Sequence, residues 1–387
     1  MEIKNLKKAA DRLKKAVQDK ERIILYGDGD LDGITSVIIL QEVLKNLGGL
    51  VAGVYFPDRE KEGYGITLTA IEKLKPLVPA LLVPMDLGIG NIEEVPLAHK
   101  AGFEILIIDH HEVIHGLPKP ALVVDPKQKG DTYPFKEFAT CGLCYRLAEI
   151  LLGDQMTDSV KKSLVELAGL GTIADMMPRK EDNILIVEEG YEALFESWRP
   201  GIRTFFDMQP FGKTESRSQL VDQMISVMNA RDAKEGLPAA YRLLTVSSVE
   251  EARAMIGEFI EKNRVRKEKT RSIIEETRKR VSLKSKEPII FEGDTFFDYE
   301  LLGSACSILA REYEKPVFLY KDLGEMSLGS VRTPGGYNSV EAMKVSDELL
   351  HTYGGHPQAS GFRIENRKLA QFRDNLLEYF TLHERKA

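Results

Sequence analysis

Ile105-Leu106-Ile107-Ile108-Asp109-His110-His111 sets an aspartate and two histidines at the end of a short apolar run. Such a run reads as a buried strand, and in an open α/β sheet ligands bind beyond the carboxyl ends of the strands. Two more stretches repeat the pattern. Ile23 to Leu25 leads into Tyr26-Gly27-Asp28-Gly29-Asp30-Leu31-Asp32-Gly33, and Ala80 to Met85 is closed by Asp86, with Gly88 and Gly90 following. A fourth aspartate, Asp175, ends Leu170-Gly171-Thr172-Ile173-Ala174. Any one of these is most often ordinary, since Asp after a strand commonly forms a turn or caps a helix and Asp32-Gly33 is a common turn pair. Their coincidence, in the order an α/β sheet needs, carries the argument. Carboxylates gathered on one crest repel and raise one another's pKa unless cations neutralise them, so the set implies metal. Oxygen donors with one histidine suit Mn²⁺ or Mg²⁺ better than a thiolate-bound zinc.

The 387 residues have room for two domains with separate cores. Apolar residues make up 43% and charged residues 29%, which excludes disordered and collagen-like classes. No run of about 18 apolar residues occurs, and Met1-Glu2-Ile3-Lys4 lacks the pattern of a secretion signal, so a cytoplasmic protein without a membrane partner is expected. Three cysteines fit a reducing compartment. Cys141-Gly142-Leu143-Cys144 has CxxC spacing but no second pair, and Tyr145 to Leu152 continues a helical apolar pattern. Both cysteines are therefore read as residues of a buried helix.

Ile3, Leu6, Ala10, Leu13 and Val17 alternate spacings of three and four, which predicts an amphipathic helix over residues 1–20. Strand-helix alternation to about residue 180 predicts a doubly wound parallel sheet, and helical segments follow to about 245. Ser248 to Lys284 has no Pro and one Gly, so a long helix is expected there. Beyond Pro288, strands at Ile289–Phe291 and Pro316–Tyr320 alternate with helices at Leu301–Tyr313 and Val340–Leu350, before a last helix, Leu369–Glu384. The formal charge is −7, but Lys262 to Lys286 holds eleven Lys or Arg against three Glu, a net of +8 that leaves −15 elsewhere. A basic stripe of this kind is an electrostatic footprint for phosphates or else a solvated helix face. Arg264, Arg266, Lys267, Lys269 and Arg271 are the candidates for tracking a nucleic acid.

Further segments carry a family likeness. Together with the four aspartate motifs, Phe56-Pro57-Asp58-Arg59-Glu60-Lys61-Glu62-Gly63-Tyr64-Gly65, Asp131-Thr132-Tyr133-Pro134-Phe135-Lys136, Gly329-Ser330-Val331-Arg332 and Gly354-Gly355-His356-Pro357-Gln358-Ala359-Ser360-Gly361 resemble the DHH family of phosphoesterases, and within it the RecJ-like single-strand nucleases. The likeness runs from about Ile23 to Ile364. Related pyrophosphatases place a metal-binding histidine where this chain has Tyr26, and RecJ-like enzymes do without it.

The resemblance implies an α/β protein in three parts: a doubly wound DHH domain with an N-terminal helix (1–247), a basic linker helix (248–286) and a smaller α/β DHH-associated substrate-binding domain (287–387). It implies two divalent cations, Mn²⁺ preferred and Mg²⁺ accepted, sharing Asp86. One would be held by Asp30 and Asp86, with Asp28 as ligand or close support, and the other by Asp32, Asp86, His110 and Asp175. His111 would serve the scissile phosphate as cation or proton donor, and Asp109 would orient a histidine. Arg59, Ser330, Arg332, Gly354, Gly355 and His356 would contact substrate or its phosphate. The implied activity is exonucleolytic hydrolysis of single-stranded DNA or RNA, alongside replication or repair proteins. Two alternatives stand beside it. One is a phosphodiesterase for oligoribonucleotides or cyclic dinucleotides, favoured because this stretch lacks the OB-fold module that follows in bacterial RecJ-like enzymes. The other is a replisome subunit with little catalysis, which the intact carboxylates oppose.

Overall fold

The structure, a computed structural model, describes residues 2–59, 61–114, 116–208, 216–230, 232–284 and 286–382. The chain forms two compact units, Met1–Ile260 and Glu261–Ala387.

The first unit is built on β1 (Arg22–Gly27), β2 (Leu50–Tyr55), β3 (Ala80–Met85), β4 (Phe103–Ile108) and β5 (Leu122–Val124). All are parallel, in the order β2-β1-β3-β4-β5. Each central strand is apolar on both faces because helices cover both. Ile23 and Leu25 belong to one core and Ile24 and Tyr26 to the other, and β4 splits likewise into Leu106 and Ile108 against Ile105 and Ile107. The larger core takes in α1 (Leu6–Gln18), α2 (Leu31–Asn46), α5 (Thr140–Leu152) and α6 (Asp158–Ala174); the smaller takes in α3 (Leu68–Leu74) and α4 (Glu94–Lys100). Then come α7 (Asp182–Phe195), α8 (Pro200–Asp207), α9 (Arg217–Met228), a minimal hairpin of β6 (Ala233–Lys234) and β7 (Leu237–Pro238), and α10 (Ala239–Thr245).

Helix α11 (Val249–Ser282) is a single helix of 34 residues. Its early turns place Ala252, Met255, Ile256 and Phe259 in the larger core of the first unit, whereas Ile273, Ile274 and Val281 belong to a core of the second. Between Glu261 and Ser272 no residue is buried.

The second unit has β8 (Ile290–Asp294), α12 (Tyr299–Tyr313), β9 (Val317–Asp322), β10 (Met326–Arg332), α13 (Ser339–Lys344), β11 (Leu350–His356), β12 (Ala359–Glu365) and α14 (Leu369–Leu382). Its sheet runs β11-β12-β10-β9-β8, with β8 and β9 parallel and the other pairs antiparallel. The helix expected over Val340–Leu350 stops at Lys344. Val345, Ser346 and Asp347 are poor helix formers, and buried Ser346 instead accepts a hydrogen bond from Asn375 at 3.0 Å. Positions 383 and 384 of the expected last helix lie outside the described residues.

Candidate metal centre

The register of the parallel sheet levels its strand ends: Gly27 pairs with Met85, Met85 with Ile108, and Ile108 with Val124. The next residue on each strand is an aspartate, so Asp28, Asp86, Asp109 and Asp125 stand side by side along the crest. The ladder carries on through them, with the Asp28, Asp86 and Asp109 N–H groups donating to the carbonyls of Met85, Ile108 and Val124 at 3.0–3.2 Å. Asp86 pays for this position with a left-handed backbone, φ 63°, a conformation that non-glycine residues hold only where their surroundings impose it. Strand order reverses between β2-β1 and β3, which puts Asp28 and Asp86 at the topological switch point.

The other donors arrive from helices. Asp30 caps α2, accepting from the Gly33 N–H at 3.2 Å. Asp32 lies in the first turn of α2, and its two carboxylate oxygens accept from the Thr140 and Cys141 N–H groups, each at 2.7 Å, at the start of α5. Asp175 ends α6, which approaches closely through Gly171, where an added Cβ would come within 2.4 Å of Thr35 Oγ1 and 2.6 Å of Cys141 Sγ. His110 Nε2 then lies 3.3 Å from Asp86, 3.5 Å from Asp175 and 3.9 Å from Asp32.

Among the described residues three donor sets converge to within 4.8 Å: Asp28, Asp30 and Asp86; Asp32, His110 and Asp175; and Asp86, His110 and His111. Burial raises Asp86 well above the usual carboxylate range, and the neighbouring charges of Asp32 and Asp30 add to it. Burial and Asp32 likewise raise Asp30, and push Asp175 up to about 6. Asp175 Oδ2 is buried without a hydrogen-bond partner among the described residues. Mutually repelling carboxylates, one oxygen of them orphaned, around an imidazole fit divalent cations of the hard, oxygen-preferring kind.

Asp109 has a different place. It is fully buried; Oδ1 accepts from the backbone N–H of His110 and His111 and pairs with His111 Nδ1 at 2.7 Å, while Oδ2 accepts from the Ile89 N–H at 2.9 Å. Burial works to raise this carboxyl, but the bond to His111 overrides it and holds Asp109 low. The same bond raises His111, whose side chain is 46% exposed at the crest.

Arg59 is engaged inside the cluster. Its guanidinium forms a two-pronged pair with Asp28, reaches Asp30 at 3.2 Å, and lies 5.2 Å over the Tyr64 ring. Three residues that the sequence reading passed over also meet the crest. Thr140 Oγ1 donates to Asp86 at 3.2 Å; a Thr opening an apolar helix was the available signal. Tyr64 donates to the Asp86 carbonyl at 3.2 Å. Asp125, after the apolar run Leu122–Val124, is the fourth crest aspartate; burial pushes its carboxyl up to about 7, and its Oδ2 has no hydrogen-bond partner among the described residues.

In the second unit the antiparallel register gathers Ser330, Arg332, Gly354 and His356 on one sheet face. Arg332 pairs with Ala359 and Ala359 with His356; Ser330 pairs with Gly361 and Gly361 with Gly354. The glycine pair divides in function. Gly355 has φ 129°, and a Cβ there would come within 2.5 Å of the Ala359 carbonyl, so the hairpin itself requires glycine; at Gly354 a Cβ would meet open space. Along α11, Arg264 pairs with Glu261 and Glu268, Arg271 with Glu275, and Lys269 with Asp298 at 3.6 Å. Arg266 and Lys267 lie on the same segment, Lys267 exposed.

A doubly wound domain with a carboxylate and histidine crest, followed by a mixed-sheet domain, defines a class that the comparisons identify. Residues 22–172 match the DHH family, N-terminal domain, and residues 271–382 match the DHHA1 domain. The chain thus carries the DHH-family N-terminal domain and the DHHA1 domain, and over its length it is RecJ-like. It is similar to a crystal structure of exonuclease RecJ bound to manganese, with TM-score 0.85 and 28% identity, covering 100% of this chain and 96% of that one. It is also similar to RecJ of Thermus thermophilus in complex with Mn²⁺, with TM-score 0.80 and 25% identity, covering 100% of this chain and 56% of that one. The single-stranded-DNA-specific exonuclease RecJ of Bacillus subtilis (strain 168) is 32% identical over 381 residues, 97% of this chain and 48% of the relative. The chain thus spans about half the length of this relative and of its Thermus thermophilus counterpart. Among the described residues no helix is long and apolar enough to cross a membrane.

Proposed function

We propose that the chain is a metal-dependent exonuclease that hydrolyses the terminal phosphodiester of single-stranded nucleic acid. The observation that carries this is the convergence of three donor sets on one strand crest, in a fold matching RecJ bound to manganese. Asp30 and Asp86, with Asp28 beside them, would hold one cation, and Asp32, Asp86, His110 and Asp175 a second, with Mn²⁺ preferred. Bound there, the cations supply Lewis-acid polarisation of the phosphoryl oxygens and a nucleophilic water at neutral pH.

The chain's own residues do the rest. His111, whose cationic form Asp109 favours, stabilises charge on the phosphate and holds the proton for the leaving oxygen. Thr140 and the amides at the start of α5 fix Asp86 and Asp32, so that the crest is set before substrate arrives. Arg59 neutralises Asp28 and Asp30 and offers its remaining donors to a phosphate. In the second unit Arg332 gives a planar fork to a phosphate oxygen pair, with Ser330 and His356 on the same sheet face.

A second reading has its own support. The glutamate partners of Arg264 and Arg271 reduce what α11 offers to a long strand, which favours a short oligonucleotide or dinucleotide as substrate. Single strands of DNA and of RNA labelled at either end, incubated with Mn²⁺, test both. Mononucleotides released progressively from one end are expected, and a dinucleotide cleaved faster than a long strand would select the second reading. Internal fragments from the earliest times would contradict both.

A further inference from the structure

Gly303 sits inside α12, where glycine is a poor helix former, and the reason lies across from it. A Cβ built on Gly303 would come 3.2 Å from Arg332 Nη2, 3.6 Å from Ser330 Oγ and 3.8 Å from Arg332 Cζ, and these are the three nearest atoms outside its own helix. Gly303, Cys306 and Ser307 share the helix face turned to β10, by their spacings of three and four. Buried Cys306 ties that face down, its Sγ donating to the Ser330 carbonyl at 3.2 Å, while the Ser307 hydroxyl donates back to the Gly303 carbonyl at 2.9 Å. Arg332 Nη1 donates to the Val331 carbonyl at 2.8 Å and reaches Ser330 Oγ at 3.4 Å. The guanidinium therefore lies in a slot walled by α12 and β10, and the slot is as wide as the missing side chain allows.

We propose that Gly303 is a positioning residue for phosphate binding: by presenting no side chain it sets where the Arg332 guanidinium rests beside Ser330, and so aims the fork at its ligand. The inference rests on the reading of Ser330 and Arg332 as phosphate contacts, and it adds a residue outside the sequence motifs to them. Helix and grip make opposite demands here. Alanine would improve the helix and crowd Arg332 by a few tenths of an ångström; valine, no worse a helix former than glycine, would fill the slot.

The test is a double-mutant cycle on the full chain. Affinity for a fluorescein-labelled oligothymidylate is read by anisotropy without metal, so that no hydrolysis intervenes, and melting temperature is read beside it. Arg332→Ala is expected to weaken binding by roughly tenfold, the usual loss for one charge-assisted hydrogen bond. Gly303→Val should reproduce most of that loss, and Gly303→Ala a smaller part of it while melting no lower than the parent chain. In the Arg332→Ala background Gly303→Val should cost nothing further. Full affinity in Gly303→Val where Arg332→Ala binds weakly overturns the role of Gly303 alone, as does an equal loss in both backgrounds. Full affinity in Arg332→Ala overturns the phosphate reading beneath it. If Gly303→Val does not fold, Gly303→Ala decides by the same criteria.

Discussion

At the scale of single residues, the centre depends on side chains whose burial makes sense only in company. Asp86 is buried, strained in its backbone and raised by its neighbours' charges. Asp86→Ala is therefore expected to abolish Mn²⁺-dependent hydrolysis and, because it removes a buried carboxylate from a repelling set, to leave the metal-free protein melting no lower than the parent. Scanning calorimetry in EDTA with a hydrolysis assay checks both; near-parental activity would sink the assignment. His111 supplies a pH signature. Asp109 raises its pKa, so the cation persists to higher pH than on an unpaired imidazole and is lost as pH rises further. The rate should accordingly fall on the alkaline side, and His111→Ala should lower it by roughly 10²–10⁴ at neutral pH, flatten that limb and leave bound Mn²⁺ unchanged. A fall in metal content would instead make His111 a ligand, which its place beside Asp86 and His110 permits.

At the scale of elements, β1, β3 and β4 were legible because apolar runs ending in Asp give both the strand and its functional end, whereas β2 runs into Phe56 and β5 is only three residues long. Helix α11 was legible from its lack of Pro and its Glu, Arg and Lys content. Strands β10, β11 and β12 were not, because Gly329, Gly354, Gly355 and Gly361 dilute the apolar alternation, and register rather than composition holds them. Arg199 was also missed, since nothing local distinguishes it. It is 2% exposed and clamps Glu42 of α2 at 2.7 Å and Glu166 of α6 at 2.6 Å. Burial pushes the Glu166 carboxyl up to about 7 despite Arg199. Its folded pKa thus exceeds its ordinary value of 4.5, so the folded state holds a proton that the unfolded state has lost, and this group's contribution to stability falls as pH rises between the two. Arg199→Ala, which leaves two carboxylates without their cation, is expected to cost about 3–5 kcal/mol at alkaline pH and less at pH about 5, where the Glu166 carboxyl holds its proton. Denaturant unfolding at both values checks this; a cost independent of pH would mean the loss is one of packing alone.

At the scale of the whole molecule, the opposition between an overall charge of −7 and a basic stripe is softened by the structure, since several cations of α11 already face glutamates. Changing Arg264, Arg266, Lys267, Lys269 and Arg271 to Gln should weaken binding of a long oligonucleotide and flatten its salt dependence by about 0.7 in the log-log slope for each phosphate no longer neutralised. A dinucleotide should be unaffected. Equal losses for both would make the helix a structural strut. The central claim is that this crest assembles metal ions, and anomalous scattering from crystals grown with Mn²⁺ tests it most directly. Two peaks are expected, one among Asp32, Asp86, His110 and Asp175 and one beside Asp30 and Asp86, both lost in Asp86→Ala; Mn²⁺ absent from the crest, or bound undisturbed without Asp86, would refute a metal centre built on Asp86 there.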